Sequence, residues 1–172
     1  MPNASEIIFS TCDFCDINKT NDSGDFRVIP TVFQNYGARQ KFAGPVLTVK
    51  CYDDNSHVKQ AVESEGHGRV LVVDGGASMR RALLGGNLAA AAQRNGWAGI
   101  VIDGCARDAD ELVMLDLGIR ALALNPMPTD RAGQGQTGLA IRIQGVQVKS
   151  GDWLYADHDG IVISSAALHV VS

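Results

Sequence analysis

A glycine pair at the start of a helix-like run is the first group of residues suited to chemistry. Gly85, Gly86, Asn87 and Leu88 open an alanine-rich stretch that ends at Arg94. The first backbone N–H groups of such a helix lack intrahelical acceptors and favour an anion such as a carboxylate. Glycine also lets a ligand approach the backbone closely. We therefore expect the peptide groups of residues 85–88 to bind an acidic substrate.

A second group, Arg107 and Asp108, directly follows a short apolar run at Gly99–Asp103 and the breaker residues after it. Asp108 offers hard oxygen atoms for a divalent cation, Mg²⁺ or Mn²⁺, which would keep several water ligands. Arg107 offers a permanent positive charge for an oxyanion. A cation, a guanidinium group and an anion-binding helix end together fit an α-keto acid that reacts through an enolate.

An alternative interpretation assigns these residues no chemistry. Asp108 then only caps the following helix, and Glu111 closes a capping box three residues later. Arg107 then forms a surface salt bridge worth about 0–1 kcal/mol. The two glycines are then ordinary turn residues.

The elements that must position both groups alternate between strands and helices. Strands are predicted at Pro45–Cys51, Arg69–Asp74 and Gly99–Asp103, and helices at His57–Glu65 and Leu88–Arg94. This order predicts right-handed crossover units and a parallel sheet. Ligands of such sheets bind beyond the carboxyl ends of the strands, where both groups are placed.

The rest of the chain predicts shorter elements. A helix is expected at Ala109–Leu117, a strand at Arg120–Leu124, and a long, mobile loop at Asn125–Gly138. Short strands joined by glycine turns follow, which indicates antiparallel pairing. The expected fold is α/β, with a parallel α/β part backed by a β-rich part. Further predictions are strands at Leu139–Ile143, Val146–Val148, Trp153–Ala156 and Ile161–Ile163, turns at Asp74–Ser78 and Asp157–Asp159, and a helix at Thr11–Ile17 capped by Thr11.

Gly86 is followed after twenty residues by Arg107-Asp108, and after two more residues by Glu111. This spacing of four residues resembles the G-x20-R-D-x2-E/D signature of the RraA-like proteins. The segments FQNYGARQKFAGPVLTVKCYDDN, GRVLVVDGGASMRRALLGGNLA, NGWAGIVIDGCARDADEL and GDWLYADHDGIVI extend the resemblance over nearly the whole chain. This family includes class II 4-hydroxy-4-methyl-2-oxoglutarate aldolases and regulators of ribonuclease E activity. The resemblance implies a phosphohistidine-swivelling-type β/β/α fold and a homotrimeric ring with the active cleft between subunits.

The resemblance also implies two functions. One is a divalent-metal-dependent aldolase that cleaves 4-hydroxy-4-methyl-2-oxoglutarate to two pyruvates and decarboxylates oxaloacetate through the same enolate. The other is a protein that binds and inhibits ribonuclease E. Aldol cleavage needs a base, which some family members supply from a neighbouring subunit's C-terminal extension. The tail SSAALHVVS has no acid, so a metal-bound water, Asp13 or Asp16 is left as the alternative.

Length and composition set outer limits. One hundred and seventy-two residues, 45% of them hydrophobic, predict one domain over residues 1–172. The net charge of −4 argues against nucleic-acid binding. No apolar run is long enough for a transmembrane helix, and the N-terminus is unlike a signal peptide, so we expect no membrane partner and a cytoplasmic protein.

Three further motifs carry weaker signals. Cys12-x-x-Cys15 is half of a zinc site or a redox pair, but no second pair accompanies it, so free thiols are expected. Asp74-Gly75-Gly76 superficially resembles the glycine-rich turn of a methyltransferase, without a full dinucleotide motif. Arg80 and Arg81 either hold a negatively charged substrate or form salt bridges between subunits.

Overall fold

A computed structural model describes residues 7–170 as a large mixed sheet with four short helices. No helix in this range is long and apolar enough to span a membrane. The helices are α1 Thr11–Asn18, α2 Ser56–Val62, α3 Gly86–Arg94 and α4 Ala109–Leu112. The strands are β1 Phe26–Val28, β2 Gln34–Asn35, β3 Phe42–Lys50, β4 Val70–Leu84, β5 Gly99–Ala106, β6 Gly118–Leu124, β7 Gln136–Thr137, β8 Ile141–Ile143, β9 Val146–Val148, β10 Trp153–Ala156 and β11 Ile161–Ser164.

Four parallel strands in the order β3-β4-β5-β6 form the centre of the sheet. Every residue of β5 is buried, as expected for a parallel strand that is covered on both faces. Along β4, Leu71 and Val73 join the cluster that contains α2 and α3, whereas Val70 and Val72 join a cluster with β8 and β9. Helices α2 and α3 therefore cover one face of the sheet, and the β8–β9 hairpin covers the other.

Antiparallel strands complete the molecule. Strand β10 lies between β3 and β11, and β1 pairs with β11 at the edge. Strands β8 and β9 form a separate hairpin whose turn residues Gln144 and Gly145 both have positive φ, as a tight hairpin turn requires. The predicted fold class, a parallel α/β part backed by a β-rich part, is confirmed.

The predicted turn at Asp74–Ser78 is wrong, because β4 continues through it to Leu84. Asp74 pairs with Asp103 and Ser78 pairs with the next residue, Gly104, so the intervening residues form a bulge. Gly76 lies at φ +63°, which lets the chain bend without leaving the sheet. The predicted break after Asp103 is wrong for the same reason, since β5 runs on to Ala106 beside the bulged strand.

Three helix predictions need correction at their ends. Helix α4 stops at Leu112 rather than Leu117, and α2 stops at Val62 rather than Glu65. The cap of α1 is Ser10, whose hydroxyl accepts from the Asp13 N–H, whereas Thr11 donates to Asp157 at 2.7 Å. The Asp157–Asp159 turn is confirmed, because the Asp157 carboxylate accepts from the backbone of the turn itself.

Candidate active site

The two predicted groups meet at the carboxyl edge of the parallel strands. Strands β4 and β5 end side by side, with Leu84 paired to Ala106. Gly85 follows the first strand and caps α3, and Arg107 follows the second. The Arg107 N–H donates to the Leu84 carbonyl at 2.9 Å, which fixes the two chain segments against each other. The sheet register therefore positions the glycine pair next to the arginine–aspartate pair.

The Asp108 side chain does not cap the helix that follows it. Its backbone is left-handed, at φ +65° and ψ +46°, and its side chain makes no capping bond to α4. Instead, Oδ2 accepts the Gly86 N–H at 2.8 Å, so the carboxylate caps α3 from across the sheet edge. The capping-box interpretation is therefore wrong. The Asp108 side chain is 36% exposed and accessible to a ligand.

The glycine pair provides space for two carboxylates. A Cβ atom at Gly85 would lie 2.7 Å from Asp108 Oδ2, and a Cβ atom at Gly86 would overlap the Glu111 carboxylate. Gly85 has φ −124°, which any residue adopts, so the requirement at this position is space rather than backbone conformation. The interpretation of these glycines as ordinary turn residues does not account for these contacts.

The Arg107 guanidinium group is held by two contacts and is partly exposed. Its Nη1 donates to the Pro126 carbonyl at 3.1 Å, and its Nε lies 3.9 Å from Asp108 Oδ2. The side chain is 37% exposed. It is therefore oriented by the protein and can still contact a bound molecule.

Some N–H groups at the start of α3 donate to protein atoms, and others can bind a ligand. Intrahelical bonding begins with the Ala89 N–H, which donates to the Gly85 carbonyl at 3.0 Å. The Gly86 N–H is used by Asp108. The N–H groups of Asn87 and Leu88 come before Ala89 and therefore have no acceptor within the helix. They are the groups best suited to bind an anion.

A cleft of about 480 Å³ opens beside Asn87 and Leu88, between α2 and α3. Within it, Lys59 pairs with Glu63 at 2.8 Å, which leaves Arg94 and Arg131 as the charges in excess. The lining residues are Lys59, Glu63, Asn87, Leu88, Ala91, Arg94, Asn95 and Arg131. Arg131 was not predicted from the sequence, because no residue pattern in its long loop indicates that the loop folds back beside α3.

Asp54 is a second residue that sequence reasoning missed. It is buried, and its Oδ2 accepts the N–H groups of Ala132 and Gln134 at 2.8 and 3.2 Å. Burial alone would raise its pKa, but these bonds and those from Ser56 lower the pKa to about 2. Arg131 donates to Asn55 at 3.0 Å. The loop that was expected to be mobile is therefore held against the start of α2.

Other predicted candidates lie elsewhere. Arg80 forms an ion pair with Asp53 at 2.9 Å, and Arg81 donates to the Pro128 carbonyl.

Helix α1, which carries Asp13 and Asp16, is fixed through Thr11 to the β10–β11 turn. That turn adjoins the first residue of β3, at the opposite edge of the sheet from Arg107. Within one chain, these two acids are therefore wrongly placed to act as the base.

The donor set at this edge suits a cation that retains most of its water. Between residues 7 and 170, no three His, Cys, Asp or Glu side chains converge to form a complete ligand set. Asp108 is an accessible carboxylate, and Glu111 lies against the same glycine pair. Mg²⁺ commonly binds through one or two carboxylates and several waters, so the residues present fit it.

Comparisons with known proteins find similar chains over nearly the whole length of this one. A protein of Albidiferax ferrireducens, provisionally named 4-hydroxy-4-methyl-2-oxoglutarate aldolase, is 60% identical over 168 residues, which cover 93% of this chain and 97% of that protein. The structure of the RNA-processing inhibitor RraA from Thermus thermophilis is 40% identical with a TM-score of 0.86, covering 92% of this chain and 94% of that one.

A second similar structure is described as an S-adenosylmethionine:2-dimethylmenaquinone methyltransferase from Geobacillus kaustophilus. It is 37% identical with a TM-score of 0.88, covering 93% of this chain and 97% of that one. The model of the RraA-like family, described as Aldolase/RraA, matches residues 11–163, which include both halves of the site. The chain belongs to the RraA-like family.

Proposed function

We propose that this protein is a divalent-metal-dependent class II aldolase that cleaves 4-hydroxy-4-methyl-2-oxoglutarate into two pyruvates and also decarboxylates oxaloacetate. The observation that carries the proposal is the meeting of Arg107, Asp108 and the start of α3 at one edge of the sheet, beside a cationic cleft. The aldolase name of the Albidiferax relative supports the same reaction class.

Asp108 would hold the cation, Mg²⁺ or Mn²⁺, with water as the remaining ligands. When bound, the cation would supply a Lewis acid for the keto oxygen and the adjacent carboxylate of the substrate. The bond from the Gly86 N–H orients the Asp108 carboxylate, and Glu111 adds a second negative charge nearby. Asp108 thus joins the start of α3 to the metal position.

Different groups of the chain bind different parts of the substrate. The N–H groups of Asn87 and Leu88 bind the carboxylate next to the keto group, as helix N-termini bind anions. Removal of the 4-hydroxyl proton and cleavage of the C3–C4 bond produce one pyruvate and one pyruvate enolate, which then takes up a proton. Arg107 stabilises the charge on the enolate oxygen, because its side chain is positively charged and 37% exposed at this edge.

The cleft beside α3 supports a substrate with a second carboxylate. The lining of the cleft has more positive than negative side chains, and Arg131 and Arg94 supply the excess positive charge. Arg131 is held in place by its hydrogen bond to Asn55. An anchored guanidinium group suits a carboxylate better than a mobile ammonium group does. Both proposed substrates carry a distal carboxylate, and we assign it to Arg131.

The test is a pyruvate-release assay on both substrates, with Mg²⁺, with Mn²⁺ and with a chelator. We expect release from both substrates, loss with the chelator and recovery on adding metal. Arg131→Ala should raise the KM for oxaloacetate more than it lowers kcat. Exposed Asp110, in the same acidic turn as Asp108, provides the control as Asp110→Asn. No release above the metal-only background from either substrate would exclude the proposal.

A second candidate is binding and inhibition of ribonuclease E, because the RraA inhibitor structure matches nearly the whole chain. This role depends on surface contacts, so Asp108→Ala should leave the affinity for the ribonuclease intact. An affinity measurement with no interaction for the wild type would remove it. Methyl transfer is less well supported, since Asp74 and Gly76 lie in the bulged strand β4 rather than in a glycine-rich loop.

We also propose a ring-shaped homotrimer. The side chains of Met79, Leu124 and Met127 are exposed by 51%, 44% and 52%. Leu124 and Met127 flank the Asn125–Pro126 segment, which contacts both Arg107 and Met79. Such an apolar surface is more consistent with a subunit contact than with free solvent. Light scattering that gave a stable monomer at micromolar concentration would contradict the trimer.

A further inference from the structure

We propose that Asn125 is a positioning residue that orients the Arg107 guanidinium group through the Pro126 carbonyl. The catalytic part of this inference rests on the proposed function, but the positioning itself does not. Among residues 7–170, the guanidinium group has two partners, the Pro126 carbonyl at 3.1 Å and the Asp108 carboxylate at 3.9 Å. The direction of the Pro126 carbonyl therefore decides where the charge of Arg107 lies.

Asn125 holds the turn that carries this carbonyl. Its N–H donates to Ala106 at 2.9 Å, which joins the turn to the last residue of β5. Its side-chain oxygen accepts the Met127 N–H at 2.9 Å, across Pro126. Its side-chain amide donates to the Met79 carbonyl of the bulged strand β4 at 2.6 Å. One side chain thus closes the turn and fastens it to the neighbouring strand.

The far side of the turn is held independently of Asn125. The Ala82 N–H donates to the Met127 carbonyl at 2.8 Å, and Arg81 donates to the Pro128 carbonyl at 3.0 Å. Loss of the Asn125 side chain should therefore leave the loop attached while its first peptide groups rotate. Pro126 has no N–H of its own, so it cannot replace the lost bonds. The expected damage is misorientation of Arg107 rather than unfolding.

The first test is kinetic, on oxaloacetate decarboxylation. Asn125→Ala should lower kcat by roughly 10- to 100-fold with a much smaller change in KM, since small misplacements of a reacting group cost about that much. Asn125→Ser should lose less, because a serine hydroxyl can still accept the Met127 N–H. Asn18→Ala is the matched control, because Asn18 donates a similar bond to Phe14 on remote α1.

A double-mutant cycle separates positioning from general damage. In an Arg107→Ala background, Asn125→Ala should cause no further loss of kcat, because the residue it orients is gone. Multiplicative losses in the double variant would overturn the proposal.

A second readout is independent of activity. In side-chain ¹⁵N NMR, the Arg107 guanidinium signal, assigned with Arg107→Lys, should show slowed rotation in the wild type and in Asn18→Ala. In Asn125→Ala the rotation should become fast. Unchanged rotation in Asn125→Ala would refute positioning even if the wild type had no decarboxylase activity, whereas an inactive wild type with the expected NMR change would refute only the proposed function.

Discussion

Replacing Asp108 with asparagine separates its structural and chemical roles more cleanly than any other single change. Asp108 caps α3 through the Gly86 N–H and lies at φ +65°. Asparagine can accept the same hydrogen bond, caps helices about as well as aspartate, and tolerates the left-handed conformation. What asparagine removes is the negative charge.

The expected loss of stability is small. The charge interaction with the start of α3 is worth about 0.3–1 kcal/mol at an exposed site, and the side chain is 36% exposed. For a chain of this length, about 1 kcal/mol shifts the Tm by roughly 2–4 °C. Asp108→Asn should therefore lower the Tm by no more than about 4 °C. Asp108→Ala should lower it further, since alanine loses the cap and resists positive φ.

The expected loss of activity is large. Removal of a hydrogen-bond partner outside a metal's ligand set already costs about 10–100-fold, so removal of the direct ligand should cost more than about 100-fold. Oxaloacetate decarboxylation measures this loss, and calorimetric titration with Mn²⁺ measures cation binding. Asp110→Asn makes the same chemical change at an exposed position nearby and should leave both values unchanged. Full decarboxylase activity in Asp108→Asn, above the metal-only background, would refute the proposed role of Asp108.

Three further predictions follow from buried groups and close contacts. Gly86→Ala should destabilise the chain by displacing the Glu111 carboxylate, and adding Glu111→Ala should restore part of the Tm; no restoration would contradict the contact. The Asp54 carboxyl, with its pKa lowered to about 2 in the folded chain, should contribute about 2 kcal/mol above pH 4 that is lost as the pH falls towards 2; urea unfolding of Asp54→Asn should show this dependence flattened. Burial raises the pKa of the Cys51 thiol to about 12, so at pH 8 iodoacetamide should modify exposed Cys12 and leave Cys51 free, as mass spectrometry can check.

The parallel core was predictable because its strands are apolar on both faces. Runs such as Val70–Val73 and Gly99–Ile102 have no polar side to turn towards water, so they identify covered strands. The ends of the elements were less predictable. At Asp74–Ser78, glycine at positive φ is compatible with a turn or a bulge, and only pairing with β5 decides between them.

The candidate site was predictable in its members and only partly in its contacts. Residue types place Arg107 and Asp108 after a strand, and the topology of parallel sheets brings them to the glycine pair. The sequence cannot show that Asp108 turns back to α3, because a capping box and a cross-sheet cap require the same residues locally. Arg131 and Asn125 were missed because their roles depend on contacts with segments distant in sequence.

The geometry also explains why the signature has a fixed spacing. The twenty residues between Gly86 and Arg107 are the rest of α3, the link after it and all of β5, so the fold sets their number. Glu111 comes four residues after Arg107 and lies against Gly86, which couples the last position of the signature to the first. The spacing and the Gly86–Glu111 pair therefore encode the fold, whereas the charges of Arg107 and Asp108 encode the chemistry. A relative that keeps the spacing but lacks both charges should fold in the same way and should not stabilise an enolate.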